Sequence, residues 1–225
     1  MGNSHVAKLR ENFEANRHEE NAVHMQRYMR DQFPFIGLKA KERRELAREF
    51  MKEAPFHDES MPAMIKELWA LPEREYQNVA VDYLVKFKRH LTLDHVDLIE
   101  FMITTKSWWD TVDAIASHLV GTLFAKYPAL IEGRGNKWLT SNNIWLQRSM
   151  ILFQLKYKKE TDQALLFSTI NQLKGIDEFF IQKAIGWALR EYSKTNPQAV
   201  GEFIQTNELS KLAVREGSKY VNIDQ

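Results

Sequence analysis

The chain has 225 residues, of which 44% are hydrophobic, enough to bury a sizeable core without covalent help. It contains no cysteine, which excludes disulfides, thiolate metal sites and a cysteine nucleophile. The net charge of +1 conceals an uneven distribution, because residues 133–195 hold ten Lys and Arg against five Asp and Glu; such a local excess suits either an anionic partner or a plain solvated surface.

Residues 1–10 include Ser4, His5, Lys8 and Arg10 and no apolar stretch of the signal-peptide kind. No later run approaches the roughly 18 consecutive apolar residues of a membrane span. A cytoplasmic protein is therefore expected. Apolar residues recur at spacings of three and four, as in Leu84, Phe87 and Leu91, while strand-like alternation is scarce. The pattern predicts an all-α chain, with helices over 4–17, 20–32, 40–53, 61–71, 73–89, 94–104, 107–126, 128–139, 142–158, 161–173, 177–194, 197–206 and 208–221. Prolines 34, 55, 62, 72, 128 and 197 fall where helices should start or stop, and Gly133 and Gly135 in EGRGN read as a turn.

An internal repeat overlies these elements. EREYQNVAVDYL (73–84), SWWDTVDAIASHL (107–119), NIWLQRSMILFQL (143–155) and EFFIQKAIGWAL (178–189) superpose at a spacing of about 35 residues, with Gln77, Val112, Gln147 and Gln182 in one register. Paired helices with this period predict an α-solenoid of HEAT-like, armadillo-type repeats, forming one domain over 1–225 with a concave binding surface. The next register position holds Asn78, Asp113, Arg148 and Lys183. Asp113 is thus an acid followed by two cations in later repeats. An acid so placed is either a structural ion pair, the commoner case, or a catalytic carboxylate.

Trp109 and Asp113 are four residues apart and so share a helix face. Lys183, Trp187 and Arg190 follow an i, i+4, i+7 pattern that sets an indole between two cations. Trp69, Trp108, Trp138 and Trp145 are assigned to core or hinge packing. Through the basic interval, cations such as Lys156 and Arg190 interleave with Tyr157, Trp187 and Tyr192, which fits phosphates and exposed bases; Lys156, Lys158 and Lys159 also fit a solvated helix end. Histidines 5, 18, 24, 57, 90, 95 and 118 form no H-x-x-x-H pair, and no glycine-rich phosphate loop is present, so neither metal nor nucleotide cofactor is expected. Asp110, beside Asp113, suits a helix N-terminus.

The runs LWALPEREYQ (68–77), TTKSWWDTVD (104–113), SNNIWLQR (141–148), FQLKYK (153–158) and EFFIQKAIGWALREYSKTNP (178–197) resemble the AlkD-like DNA alkylation-repair glycosylases, from MQRYM (25–29) onward. The ending VNIDQ is expected to fall short of typical members. The resemblance implies a HEAT-like solenoid with duplex DNA in its concave groove, and hydrolysis of the N-glycosidic bond of purines alkylated at N3 or N7. It implies an abasic product, no flipping of the base into a pocket, no cofactor and no lyase step; a monomer is expected. Asp113 matches the catalytic acid position, while Trp109 and Trp187 match two indoles packed on the deoxyribose. Arg148 and Arg190 match phosphate contacts, and Tyr28 a tyrosine at the same surface; Lys156 and Lys183 join them as groove cations. Some relatives lack the tryptophan and acid and only bind DNA, so the alternative is a non-catalytic HEAT-like protein for distorted or branched DNA. A protein-interaction scaffold would expect an apolar or acidic concave face, against which Lys183 and Arg190 argue.

Overall fold

The computed structural model describes residues 3–56 and 60–221, and among them every regular element is helical. His57 and the chain end after Val221 lie outside the described residues. No helix among the described residues is long and apolar enough to cross a membrane. The chain divides into two compact units, Met1–Phe87 and Lys88–Gln225.

The first unit contains α1 (Ser4–Ala15), α2 (Glu19–Tyr28), α3 (Ala40–Leu46), α4 (Arg48–Glu53), α5 (Met61–Ala70) and α6 (Arg74–Lys86). Asn3 caps α1 by accepting from the His5 and Val6 N–H groups, and the helix buries Val6, Leu9 and Phe13. Pro62 sits at the start of α5, where its missing N–H costs nothing. Trp69, Tyr76 and Tyr83 are 1%, 1% and 0% exposed, and their rings bury apolar surface worth about 25 cal/mol per Å². The helix expected over 40–53 is instead interrupted at Ala47, where ψ rises to 1°. A polar clasp fixes the approach to α3. The buried Glu75 carboxylate accepts from the N–H groups of Ile36, Gly37 and Leu38 at 3.1, 2.8 and 3.1 Å. Gly37 has φ +101°, and a Cβ there would stand 2.1 Å from the His18 carbonyl oxygen. Only glycine meets both demands.

The second unit contains α7 (Val96–Thr104), α8 (Trp109–Ala114), α9 (Gly121–Lys126), α10 (Asn136–Leu139), α11 (Ile144–Leu152), α12 (Gln163–Leu173), α13 (Phe179–Ser193), α14 (Pro197–Thr206) and α15 (Lys211–Gly217). A π-helical turn over Ile115–Val120 joins α8 to α9, so the expected 107–126 helix runs through with a wider turn in its middle. A second, Ile131–Gly135, leads into α10 and replaces the turn expected at EGRGN. Gly135 keeps ordinary helical angles there (φ −58°), and its Cβ position lies 3.1 Å from Met150 Cε. Its small size serves packing, not chain reversal. The expected 142–158 helix stops at Leu152. Beyond it the chain tightens into turns that let the Tyr157 hydroxyl donate to the Gly121 carbonyl (2.6 Å) and Gln154 Oε1 accept from the Asp162 N–H (2.8 Å). Asn143, Asp162, Asn196 and Ser210 cap the helices that follow them.

The repeat register has a structural meaning that composition does not reveal. Gln77 Nε2 donates to the carbonyls of Trp69 and Leu71 (3.2 and 2.7 Å), Gln147 to those of Leu139 and Ser141 (3.5 and 2.7 Å), and Gln182 to those of Lys174 and Ile176 (2.9 and 2.7 Å). In each case the acceptors lie eight and six residues upstream. The glutamine staples the orphan carbonyls that end the preceding helix. Val112, fully buried, takes this place in the remaining repeat.

Candidate active site

Trp108 is extended (φ −159°, ψ 160°), so α8 starts at Trp109 and places Trp109 and Asp113 on one face. Both are partly exposed. The Asp113 carboxylate accepts two bonds from Arg148 of α11, Nε to Oδ1 at 2.7 Å and Nη2 to Oδ2 at 2.8 Å. The two side chains are 13% and 4% exposed. The remaining edge of the guanidinium, Nη1, donates to the backbone carbonyl of Phe180 on α13. One arginine therefore ties α8, α11 and α13 together, and α11 packs against both neighbours. Burial pushes the Asp113 carboxyl above its ordinary range, and Asp110 adds to this; the Arg148 guanidinium pulls the other way.

Aromatic rings close the side of this pair. Trp145 and Phe180 lie 4.9 Å apart, Trp108 and Phe180 5.0 Å, and Phe180 is 5.9 Å from the Arg148 guanidinium carbon. The low polarity of that wall strengthens the Asp113–Arg148 attraction relative to water. Trp108 and Trp145 were expected in packing roles, and they fill them beside the charged pair. Arg148, expected at phosphates, is 3% exposed with all three edges engaged.

Trp187 is partly exposed on α13, between Lys183 and Arg190 as the spacing requires. Both cations are drawn onto Glu216 of α15: Lys183 Nζ stands 2.9 Å from Oε1, and Arg190 Nη1 donates to Oε2 at 3.2 Å. Lys219 adds a contact to Oε2 at 3.1 Å. Lys183 and Lys219 hold the Glu216 carboxyl down at about 2. Gly186 makes the arrangement possible, because a Cβ there would stand 2.5 Å from Glu216 Cβ and 3.0 Å from the Ala213 carbonyl oxygen. Lys156 is exposed after α11; with burial and Lys88, it helps depress the His118 imidazole pKa. Tyr28 ends α2 in the first unit and is 70% exposed. A cleft of about 850 Å³ beside the C-terminal parts of α11 and α13 is lined by Tyr157, Lys158, Lys159 and Tyr192, and its lining includes none of Trp109, Asp113 and Trp187. Among the described residues no group of three or more His, Asp or Glu gathers as a metal site would require.

Spacing along single helices did not reveal Glu216 or Phe180. One signal was available. The period carried one step beyond Lys183 reaches residue 218, two places from Glu216.

Fold and site together define an all-α protein with a shielded carboxylate–guanidinium pair beside partly exposed tryptophans. The chain belongs to the DNA alkylation repair enzyme family, whose profile matches residues 9–221. It is similar to a solved structure described as a predicted DNA alkylation repair enzyme from Enterococcus faecalis, with 37% identity and a TM-score of 0.85 over 92% of this chain and 97% of that one. It also shares its fold with the smu.31 protein of Streptococcus mutans UA159, at 19% identity and a TM-score of 0.60, covering 90% of this chain and 100% of the other. No curated protein sequence matches the chain.

Proposed function

We propose that the protein is a monofunctional DNA glycosylase that hydrolyses the N-glycosidic bond of cationic N3- and N7-alkylated purines in duplex DNA, leaving an abasic site. The observation that carries this reading is the shielded Asp113 carboxylate, held in a two-point grip by Arg148 on the same helix face as Trp109. An alkylated purine already bears positive charge. When the C1′–N bond breaks, its electron pair neutralises the base, and the positive charge moves to the sugar as an oxocarbenium-like centre. A fixed carboxylate stabilises that centre more strongly than mobile water does. Asp113 also orients a water whose oxygen bonds to C1′ and whose proton leaves to the carboxylate or solvent. Trp109 and Trp187 offer π faces to the cationic sugar. Selection then follows charge and bond lability, with the base left stacked.

In this reading Arg148 acts through Asp113 as a positioning residue, keeping the carboxylate ionised and aimed. Lys156 and Tyr28 contact the DNA backbone and its surface, and Lys183 and Arg190 contact it where a lesion is engaged. The glutamine-stapled helix pairs are the units of a HEAT-like, armadillo-type stack, whose concave side holds DNA. Family membership supports alkylation repair as the setting; the lesion class and the chemical steps are our inference.

The pair also favours a second reading. A carboxylate already satisfied by arginine suits a non-catalytic DNA-binding repeat protein. Release of 7-methylguanine from methylated duplex DNA separates the two. The wild type should release it, and Asp113→Asn should lose at least about tenfold, since a positioned catalytic group contributes 10²-fold or more. A folded wild-type protein that releases no base would sink the enzymatic reading.

A further inference from the structure

Glu216 stands outside the basic interval and outside the proposed chemistry, yet it is 7% exposed and sits among four cations. Its Oε1 lies 2.9 Å from Lys183 Nζ and 3.9 Å from Arg215 Nε; its Oε2 lies 3.2 Å from Arg190 Nη1 and 3.1 Å from Lys219 Nζ. Lys183 and Arg190 are 40% and 26% exposed, so both still border solvent. The close approach at Gly186 seats this acid of α15 between them, against the helix that carries Trp187. An isolated surface pair between a lysine and an acid contributes little. Here one carboxylate restrains two cations of a single helix while the cluster keeps a net positive charge.

We propose that Glu216 is a specificity-determining residue, an internal stand-in for phosphate that keeps Lys183 and Arg190 from gripping ordinary duplex DNA. The proposal rests on the DNA-repair reading above. A passing phosphate must compete with a carboxylate that is already in place and needs no ordering. A backbone pressed against the Trp187 face, as a damaged nucleotide engaged there would be, presents its phosphate at short range and draws both cations off Glu216. Ordinary DNA meets the restrained state, and the engaged lesion meets the released one.

The test is fluorescence-anisotropy binding of an undamaged duplex across a salt series, using wild type, Glu216→Gln, Lys183→Met and the double variant. Thermal melting checks that each is folded. Glu216→Gln, an isosteric change, should bind undamaged duplex about three- to tenfold tighter with a salt slope steeper by about one to two, as expected when two phosphate-seeking cations are freed. The double variant should lose the share of that gain that Lys183 supplies and keep the share of Arg190. Lys183→Met alone should alter ordinary-duplex affinity by less than about twofold, yet weaken binding to methylated duplex by more. Glu216→Gln binding no tighter, or Lys183→Met losing ordinary-duplex affinity in full, would overturn the proposal. The Lys183→Met result decides even if the Glu216 variant does not fold. If the wild type releases 7-methylguanine while these comparisons fail, Glu216 alone loses its role. If the wild type binds no duplex at low salt, both readings fall.

Discussion

Asp113 and Arg148 sit 35 residues apart, and each would be costly to bury alone. Together they leave a carboxylate whose ionisation is under tension: burial favours the neutral form and the guanidinium favours the anion. The proposed chemistry needs the anion. Base release should therefore fall on acidification at a pH above the ordinary carboxylate range. Removing the guanidinium removes the lowering influence, so the folded carboxyl titrates higher and its ionised fraction at a given pH shrinks. In Arg148→Met the acid limb of the pH–rate profile should move to higher pH, with at least about a tenfold loss at neutral pH. A variant slower by a constant factor, with its limb unmoved, would show that Arg148 does not tune Asp113. Both residues were legible in the sequence as members of one repeat register, and an ion pair was one of the two roles open to Asp113. Arg148 and Lys183 were the register cations offered to it; which of them it meets was not legible, because periodicity along one helix does not state which neighbour faces it.

At the scale of elements, the helices were readable where apolar spacing agreed with a cap or an N-terminal proline, as in α1, α5 and α14. They were misread where tertiary bonds overrode periodicity. The segment after Leu152 has helix-forming residues, but Tyr157 and Gln154 find better partners in a turned conformation. Lys183 and Arg190 were found from spacing alone; the acid that holds them lies on another helix. The α13–α15 contact makes an element-scale prediction. Gly186→Ala gains about 1 kcal/mol of helix propensity, but its methyl group would meet Glu216 Cβ and the Ala213 carbonyl. A clash with near-backbone atoms is relieved only by separating the helices, so a net loss of about 1–3 kcal/mol is expected from overpacking. Urea unfolding at neutral pH measures it. An unchanged or raised midpoint would mean that the two helices slide apart freely.

For the whole molecule, the repeat period was the most legible feature, since it appears in aligned segments without any knowledge of contacts. Its chemical content appeared only in three dimensions, where the same glutamine bonds the same two upstream carbonyls in three repeats. Several longer polar tethers share that rhythm, while Asn3 to Glu67 and Arg17 to Glu73 span 64 and 56 residues. Arg43 reaches Asn78 across 35 residues, Lys126 the Leu91 carbonyl across 35, Arg134 Glu100 across 34, and Arg148 Asp113 across 35. Each such bond closes a loop of about one repeat and no more, and loop-closure entropy rises with length. Tethers of this span keep much of the pairing local, which favours fast folding. Native-state hydrogen exchange should show amide protection in contiguous blocks about 35 residues long, the glutamine-stapled pairs opening as units. One uniform exchange limit along the chain would contradict this. The glutamine staple then has a consequence for the history of the chain as well as for its stability. A unit whose end is sealed by its own side chain can be duplicated or deleted whole, leaving its neighbours' backbone bonds intact, and only the polar residue that follows the glutamine needs to be matched anew.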